Sequence, residues 1–283
     1  MPAPTVAIIA PGNMGAAIGA RLVENGLTVL TSLEGRSPAS AQRAKDAGLR
    51  AANESEIAGA DIILSIVPPG DALALAERLA PALKEASRKP LYVDCNAVSP
   101  KTVEQIAAVA TATGAPFADG GIIGGPPKKG QRGPRLYVSG ADAKPLAALA
   151  QHGLDVRMMD APVGAASALK MVYGGLNKGV VALGAAMALA AHRAGVEADF
   201  HKELQESQAP LLAQLERGVP DMFAKAYRWV AEMEEIAAFA GREAEAKTYD
   251  GFARLYTRLA RDFESTKDEI GALAAFYRTA AKN

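Results

Sequence analysis

The chain alternates short apolar runs with segments whose apolar residues recur every three or four positions. "TVAIIA" reads as a strand, and "MGAAIGARLVENG" as a helix stopped by Gly26. "LTVLTSL" is the next strand. "SPASAQRAKDAG" opens on Ser-Pro, a helix-start signal, and ends on Gly48. The alternation goes on through the strand "DIILSIVPP", the helix "GDALALAERLAPALKEA", the strand "LYVDCN" and the Ser-Pro helix "SPKTVEQIAAVATATG". "APFADGGIIGG" and "RLYVSG" read as further strands, with "PPKKGQRGP" as the loop between them. Strands interleaved with helices imply a mostly parallel sheet covered on both faces.

From about Val163 the pattern changes. β-branched runs and turn signals become scarce, and helix formers dominate "ADFHKELQESQAPLLAQLERG", "VPDMFAKAYRWVAEMEEIAAFAG" and "REAEAKTYDGFARLYTRLARDF". The expected architecture is an α/β N-terminal domain over 1–162 and an all-α C-terminal domain over 163–283. A helix of roughly thirty residues joins them, longer than the usual globular helix.

Composition narrows the function classes. Of 283 residues, 49% are apolar and 22% charged, so the chain can bury a large core. Its 31 basic and 31 acidic residues cancel, which argues against a nucleic-acid or membrane-surface binder. The single Cys95 rules out an intrachain disulfide and fits a reducing, cytoplasmic setting. "MPAPTVAIIAPG" has neither a basic start nor a long apolar run, so no secretion leader is expected. "GGLNKGVVALGAAMALAAHRAG" comes nearest to a membrane span, but it is rich in Gly and Ala and interrupted by Lys178, and it reads as a buried helix. His152, His192 and His201 are scattered, so no metal site is expected. No G-x-S-x-G nucleophile pattern occurs.

Two stretches carry candidate chemistry. "IIAPGNMGAAIG" links the first strand to the first helix and holds Gly12, Gly15 and Gly19. It matches the dinucleotide fingerprint G-x-G-x-x-G with Ala10 in the first place, which predicts a Rossmann-type domain. The helix N-terminus would take the pyrophosphate, with Gly12, Asn13, Met14 and Gly15 around it. A tight strand-to-helix turn packed by small residues is the plainer reading. At the end of the second strand, NAD binders carry an acid; here Ser32 stands there, followed by Glu34, Arg36 and Ser37. Arg36 with Ser32 and Ser37 suits the phosphate of NADP, whereas Glu34 could hold a ribose diol as in NAD. A solvated loop cation is the alternative for Arg36. Val67 and Pro68, where "DIILSIVPP" ends, complete the expected cofactor contacts.

The second stretch is "SALKMVYGGLNKG". Two glycines inside a helix each weaken it by about 1 kcal/mol relative to alanine. Lys170, Tyr173, Gly174 and Asn177 share one helical face, and small residues leave room on it. Apolar surroundings favour a neutral lysine, which can exchange a proton with a carbonyl oxygen as a hydride arrives. Tyr173 and Asn177 would orient the substrate. The alternative is that Lys170 snorkels to water and the glycines merely permit close packing.

With these residues in view, the chain resembles the β-hydroxyacid dehydrogenases. That group includes 3-hydroxyisobutyrate and 6-phosphogluconate dehydrogenases and, more distantly, imine reductases. The likeness covers roughly the first 195 residues and has four parts in the family's order. "APGNMG" resembles its glycine loop and "VDCNAVSP" its D-x-S-T-x-x-P loop. "GGIIGG" with "RLYVSG" resembles its A-P-V-S-G-G loop and following strand, and "LKMVYGG" its K-x-x-x-N catalytic-lysine helix. The resemblance implies Lys170 as general acid and base and Asn96 beside both nicotinamide and substrate. It places Gly124 and Gly125 against the substrate, and implies a homodimer centred on the long helix. The departures are Ala10 for glycine, Asn96 and Ala97 for Ser and Thr, Ile123 for a carboxylate-holding serine, and Gly174 for asparagine. Asn177 stands where 6-phosphogluconate dehydrogenases carry a glutamate, which argues against that substrate.

The expected function is therefore NADP-dependent hydride transfer (NAD being possible) between nicotinamide and a small carboxylate-bearing hydroxy acid or its oxo form, bound between the domains. Imine reduction on the same scaffold and a non-catalytic NADP(H) sensor are the alternatives. "PPKKGQRGPR" places Lys128, Lys129, Arg132 and Arg135 on one loop, either gripping an anion or simply solvated. Arg228 either reaches a substrate carboxylate or forms an exposed ion pair along its helix with Glu232.

Overall fold

The computed structural model describes residues 3–278. Its sheet begins with β1 (Val6–Ile9), β2 (Val29–Thr31), β3 (Arg50–Ala51), β4 (Ile62–Ser65) and β5 (Leu91–Asp94), and is completed by β6 (Phe117–Ile123), β7 (Arg135–Ser139) and β8 (Asp155–Met158). The spatial order is β3-β2-β1-β4-β5-β6-β7-β8. The first six strands in that order run parallel, the doubly wound arrangement that places ligands at the carboxyl ends of the strands. β7 reverses direction against β6, and β8 runs parallel to β7.

Alternation along the strands divides the core in two. Val6 and Ile8 of β1 join Leu64, Val93, Ile18 and Leu22 on one face. Ala7 and Ile9 join Ile63 and Tyr92, with Leu79, Leu83 and Ile106 above them, on the other. The helices covering these faces are α1 (Asn13–Glu24), α2 (Pro38–Asp46), α3 (Glu54–Ala58), α4 (Ala72–Glu85) and α5 (Pro100–Ala112). Each fully buried Leu or Ile contributes about 1.5–3 kcal/mol relative to exposure, so both layers are needed to hold the sheet.

The remaining helices are α6 (Ala165–Ala194), α7 (Glu197–Ser207), α8 (Ala209–Met222), α9 (Ala226–Ala240), α10 (Glu243–Phe263) and α11 (Asp268–Phe276). The chain divides into two compact units, one ending at Met171 and the other beginning at Val172. The junction expected between 162 and 163 lies in the loop before α6, whereas the units part inside α6 itself. In the second unit Lys178 pairs with Glu232 at 2.6 Å, and Tyr256 donates to the Lys178 carbonyl at 2.5 Å. Gly175 is a packing glycine, since a Cβ there would lie 2.9 Å from the Tyr249 hydroxyl; Gly174 has only Lys178 Nζ nearby, at 3.7 Å. α6 is long and apolar enough to cross a bilayer, and half of its most apolar stretch is buried by protein.

Several elements differ from expectation. "ADFHKELQESQAPLLAQLERG", where helix formers dominate, breaks into two helices at Gln208, because Pro210 fits only the first turn of a new helix, α8. "VPDM" closes α8, and a 3-10 turn over Phe223–Lys225 precedes α9. β3, α3, β8, α11 and a long 3-10 segment over Ala141–His152 carry no periodic signal strong enough to be expected.

Candidate functional site

The glycine turn follows β1 as expected, and its glycines do different work. A Cβ on Gly15 would lie 2.1 Å from the Ala10 carbonyl oxygen, so close packing on the backbone demands that glycine, and one on Gly19 would press the end of the Leu49 side chain at 2.8 Å. Gly12 is demanded by neither packing nor backbone: nothing lies within 4 Å of its Cβ position and its φ is −71°. The space before it opens on the N-terminus of α1, which has no side-chain cap and no acid in its first turn. Unpartnered N–H groups and a bare positive helix end favour an anion there, so the residues fit a dinucleotide pyrophosphate. Asn13 is exposed at this end, while Met14 packs against the core.

After β2, Ser32 is buried at 3% exposure, and the chain turns tightly at Gly35 (φ 65°) before α2. Glu34 is exposed and Arg36 half-buried. The Ser37 hydroxyl caps α2, accepting from the Ser40 backbone N–H at 3.3 Å. Arg43, absent from the expected site, lies on α2 and bonds the Pro11 carbonyl in the glycine turn at 3.2 Å.

At the ends of β4 and β5 the polar groups are knitted together. The Asn96 carboxamide oxygen accepts from the Val67 N–H at 2.6 Å, and its nitrogen donates to the Ser65 hydroxyl at 2.8 Å and to the Asp94 carboxylate. Asn96 is 2% exposed, so its side chain ties β4 to β5, and Val67 offers the site its half-buried side chain rather than its N–H. Pro68 is exposed beyond them. Burial pushes the Asp94 carboxyl up to about 7; hydrogen bonds from Asn96 oppose the rise, the charge of Asp119 adds to it and Lys170 opposes it. Burial, with Asp94 next to it, also pushes the Cys95 thiol far above its usual range, leaving a packing residue rather than a nucleophile.

Lys170 is brought to this place by a second buried carboxylate. Asp119 of β6 accepts from the Ser139 hydroxyl at 3.1 Å, from the Ser167 N–H at 3.0 Å and from the Ser167 hydroxyl at 2.6 Å. Ser139 in turn accepts from the Ala166 N–H at 3.1 Å. The first turn of α6 is thus capped by β6 and β7, with a negative charge at its positive end. A Cβ on Gly121 would lie 2.6 Å from the Ala166 carbonyl oxygen, so the bare strand lets the helix rest directly on it. One turn on, Lys170 Nζ donates to the Cys95 carbonyl at 3.4 Å, at the carboxyl end of β5.

The other expected residues are placed as follows. Gly124 (φ 127°) and Gly125 form the exposed turn after β6, next to Arg132 and Arg135. The basic loop is tied down: Arg21 donates to the carbonyls of Lys128 at 2.9 Å and Gln131 at 3.0 Å, and Arg132 pairs with Asp155. Tyr173 and Asn177 lie in the second unit; Tyr173 is half exposed, and the Asn177 amide donates to the Tyr173 carbonyl at 2.8 Å. Arg228 is exposed and stacks over Tyr227 at 5.7 Å; the Glu232 expected beside it is taken by Lys178. Asp94, Asp119, Ser139 and Ser167 were missed by sequence reasoning. The signal for them is an acid closing a buried strand in "LYVD" and another inside "FADGG". No group of metal-ligating side chains occurs among the described residues.

A doubly wound sheet with an open glycine turn, and a lysine at the end of β5, has the layout of a dinucleotide-binding domain. The model of the NAD binding domain of 6-phosphogluconate dehydrogenase matches residues 5–152, and a domain of unknown function, DUF1932, matches residues 191–259. The chain belongs to that NAD-binding family and, with it, to the β-hydroxyacid dehydrogenase superfamily of NAD(P)-dependent dehydrogenases and reductases. Among solved structures, a conserved protein of unknown function described as similar to 3-hydroxyacid dehydrogenases shares 28% identity and a TM-score of 0.71, over 95% of this chain and 99% of its own. The 3-hydroxyisobutyrate dehydrogenase of Mycobacterium tuberculosis, solved with L-serine, shares the fold at 18% identity and a TM-score of 0.73, over 98% and 99% of the two chains. An imine reductase of Myxococcus stipitatus in complex with NADP+ shares it at 22% identity and 0.55, over 97% and 100%.

Proposed function

We propose that this chain is an NADP-dependent oxidoreductase acting on a small carboxylate-bearing hydroxy acid or its oxo form, with Lys170 exchanging the proton. The observation that carries the reading is the placement of Lys170 Nζ 3.4 Å from the Cys95 carbonyl, at the strand end where such sheets hold ligands. The nicotinamide, when bound, supplies or accepts the hydride. The Cys95 carbonyl aims the lysine, and the Asp119 cap fixes the helix turn from which it extends. Lys170 gives its proton to the substrate oxygen during reduction and takes it back during oxidation. The Gly124–Gly125 turn lets the substrate approach the backbone.

Preference for NADP is supported by the buried Ser32 where an acid would hold a ribose diol, and by Arg36 in the turn after it, which Glu34 opposes. A homodimer is supported by the apolar side chains that α6 exposes, Leu176 at 65% and Leu183 at 54% among them. The lone cysteine supports a cytoplasmic setting. A second reading, imine reduction, is favoured by one observation: the buried Ile123 closes β6 with an apolar wall where a serine would hold a carboxylate.

Paired spectrophotometric panels test these readings: NADP+ reduction with hydroxy acids, and NADPH oxidation with keto acids and imines. Lys170→Ala is expected to lose about two to four decades of turnover while still binding the dinucleotide. Near-normal turnover in the folded variant removes the assignment. NADPH binding without turnover on any compound would return the sensor reading.

A further inference from the structure

We propose that Arg43, more than Arg36, reads the phosphate on the adenosine ribose of NADP(H). The inference rests on the NADP reading above and assigns it to a residue eleven positions beyond the serine that follows β2.

Arg43 Nε donates to the Pro11 carbonyl at 3.2 Å, and its Nη2 donates to the Ser40 hydroxyl at 2.8 Å. Pro11 immediately precedes Gly12, the one glycine of the turn with open space before it. The guanidinium is therefore fixed between the glycine turn and the start of α2, the two elements that flank an adenosine ribose in a doubly wound sheet. Two bonds hold it in place, and Nη1 has no protein hydrogen bond among the described residues. No carboxylate pairs with Arg43 among them either. Beside it, Ser40 and Ser37 place two hydroxyls 3.2 Å apart at the first turn of α2, and that helix carries no acid there. An oriented cation, a free donor, two hydroxyls and a helix start without an acid together suit a dianionic phosphate.

Arg36 is differently placed. Its backbone N–H closes the turn on Leu33 at 3.1 Å, and its side chain makes no hydrogen bond or ion pair among the described residues. It would have to be ordered on binding, whereas Arg43 is already held, and a group held beforehand loses less freedom when the ligand arrives. Glu34, exposed in the same turn, also lies nearer to Arg36 along the chain.

The test is calorimetric titration of the full chain with NADPH and with NADH, in wild type, Arg43→Ala, Arg43→Lys and Arg36→Ala. Arg43→Ala is expected to weaken NADPH about ten- to a hundredfold and NADH less than about threefold, with Arg36→Ala changing the ratio less than about threefold. Arg43→Lys should fall between, since a lysine keeps the charge but cannot hold Pro11 and Ser40 at once. Equal weakening of both cofactors by Arg43→Ala would make Arg43 a clasp of the turn and overturn the inference. So would a ratio that collapses only in Arg36→Ala. Equal affinities in the wild type overturn the NADP reading and the inference together; a wild-type preference that survives in Arg43→Ala overturns the inference alone. Should Arg43→Ala fail to fold, the Arg43 Nε resonance of the wild-type protein, assigned through Arg43→Lys, decides. It should shift with 2',5'-ADP and stay in place with 5'-ADP, and any other pattern overturns the proposal.

Discussion

Asp94 should make the protein lose stability as the solution passes from mildly acidic to mildly alkaline. Its carboxyl lies at 0% exposure at the end of β5, and burial raises its pKa from 3.8 to about 7. The groups facing it are Asn96, which donates two hydrogen bonds, Asp119 on β6, and Lys170 on α6. The folded state therefore holds this proton more tightly than the unfolded chain does. The stabilisation is full below the unfolded value and is lost as the pH rises through the folded one. A rise of about three units at about 1.4 kcal/mol each gives about 4 kcal/mol in all, more than half of it between about pH 5 and pH 8. Asp94→Asn, which cannot ionise, should remove that slope. Carboxyl NMR on aspartate labelled with carbon-13 should show one resonance titrating near 7 in the wild type and missing in the variant. Urea denaturation across the same range should give curves that diverge with pH. If every aspartate titrates below about pH 5.5, or if the two stability profiles run parallel, the burial argument for Asp94 is wrong.

The two glycines of the first turn should separate cleanly. Gly15→Ala drives a Cβ into the Ala10 carbonyl and should destabilise by about 3 kcal/mol, read by thermal melting. Gly12→Ala should melt within about 0.5 kcal/mol of wild type yet bind dinucleotide about tenfold more weakly by calorimetry; unchanged affinity would mean that nothing approaches the turn. Asp119→Asn leaves one acceptor for three donors and should cost about 2 kcal/mol, with faster amide exchange at Ser167; unaltered exchange there would contradict the cap. Leu176→Glu combined with Leu183→Glu should sediment as a monomer where the wild type sediments as a dimer, and a dimer that persists would move the interface elsewhere.

The strands and helices of the first unit are legible because burial on both faces leaves apolar runs, and Ser-Pro and Gly punctuate the helices between them. β3 escapes because two exposed residues at a sheet edge carry no alternation, and the 3-10 segment at Ala141–His152 because its Pro145 and alanines fit no helical stripe. The break at Gln208 had its signal in Pro210, but a proline in a first turn and one inside a helix look alike until the preceding residue's backbone is known. Lys170 stands out as a charge in an apolar stretch. The partners that place it do not, since Asp119 and Ser167 are 48 residues apart and meet only where α6 rests on β6.

That distance bears on the order in which the molecule assembles. Side chains far along the chain hold the first turn of α6: Asp119 and Ser139 reach it from 48 and 27 residues away. Helices elongate in nanoseconds per residue, but closing such loops and pairing β6 with β7 is slower. The rest of α6 can therefore wind early, while the turn that carries Lys170 stays frayed until the antiparallel pair is in place. Lys170 is therefore expected to become ordered late, and a chain arrested before the strands pair should have its long helix but no positioned lysine.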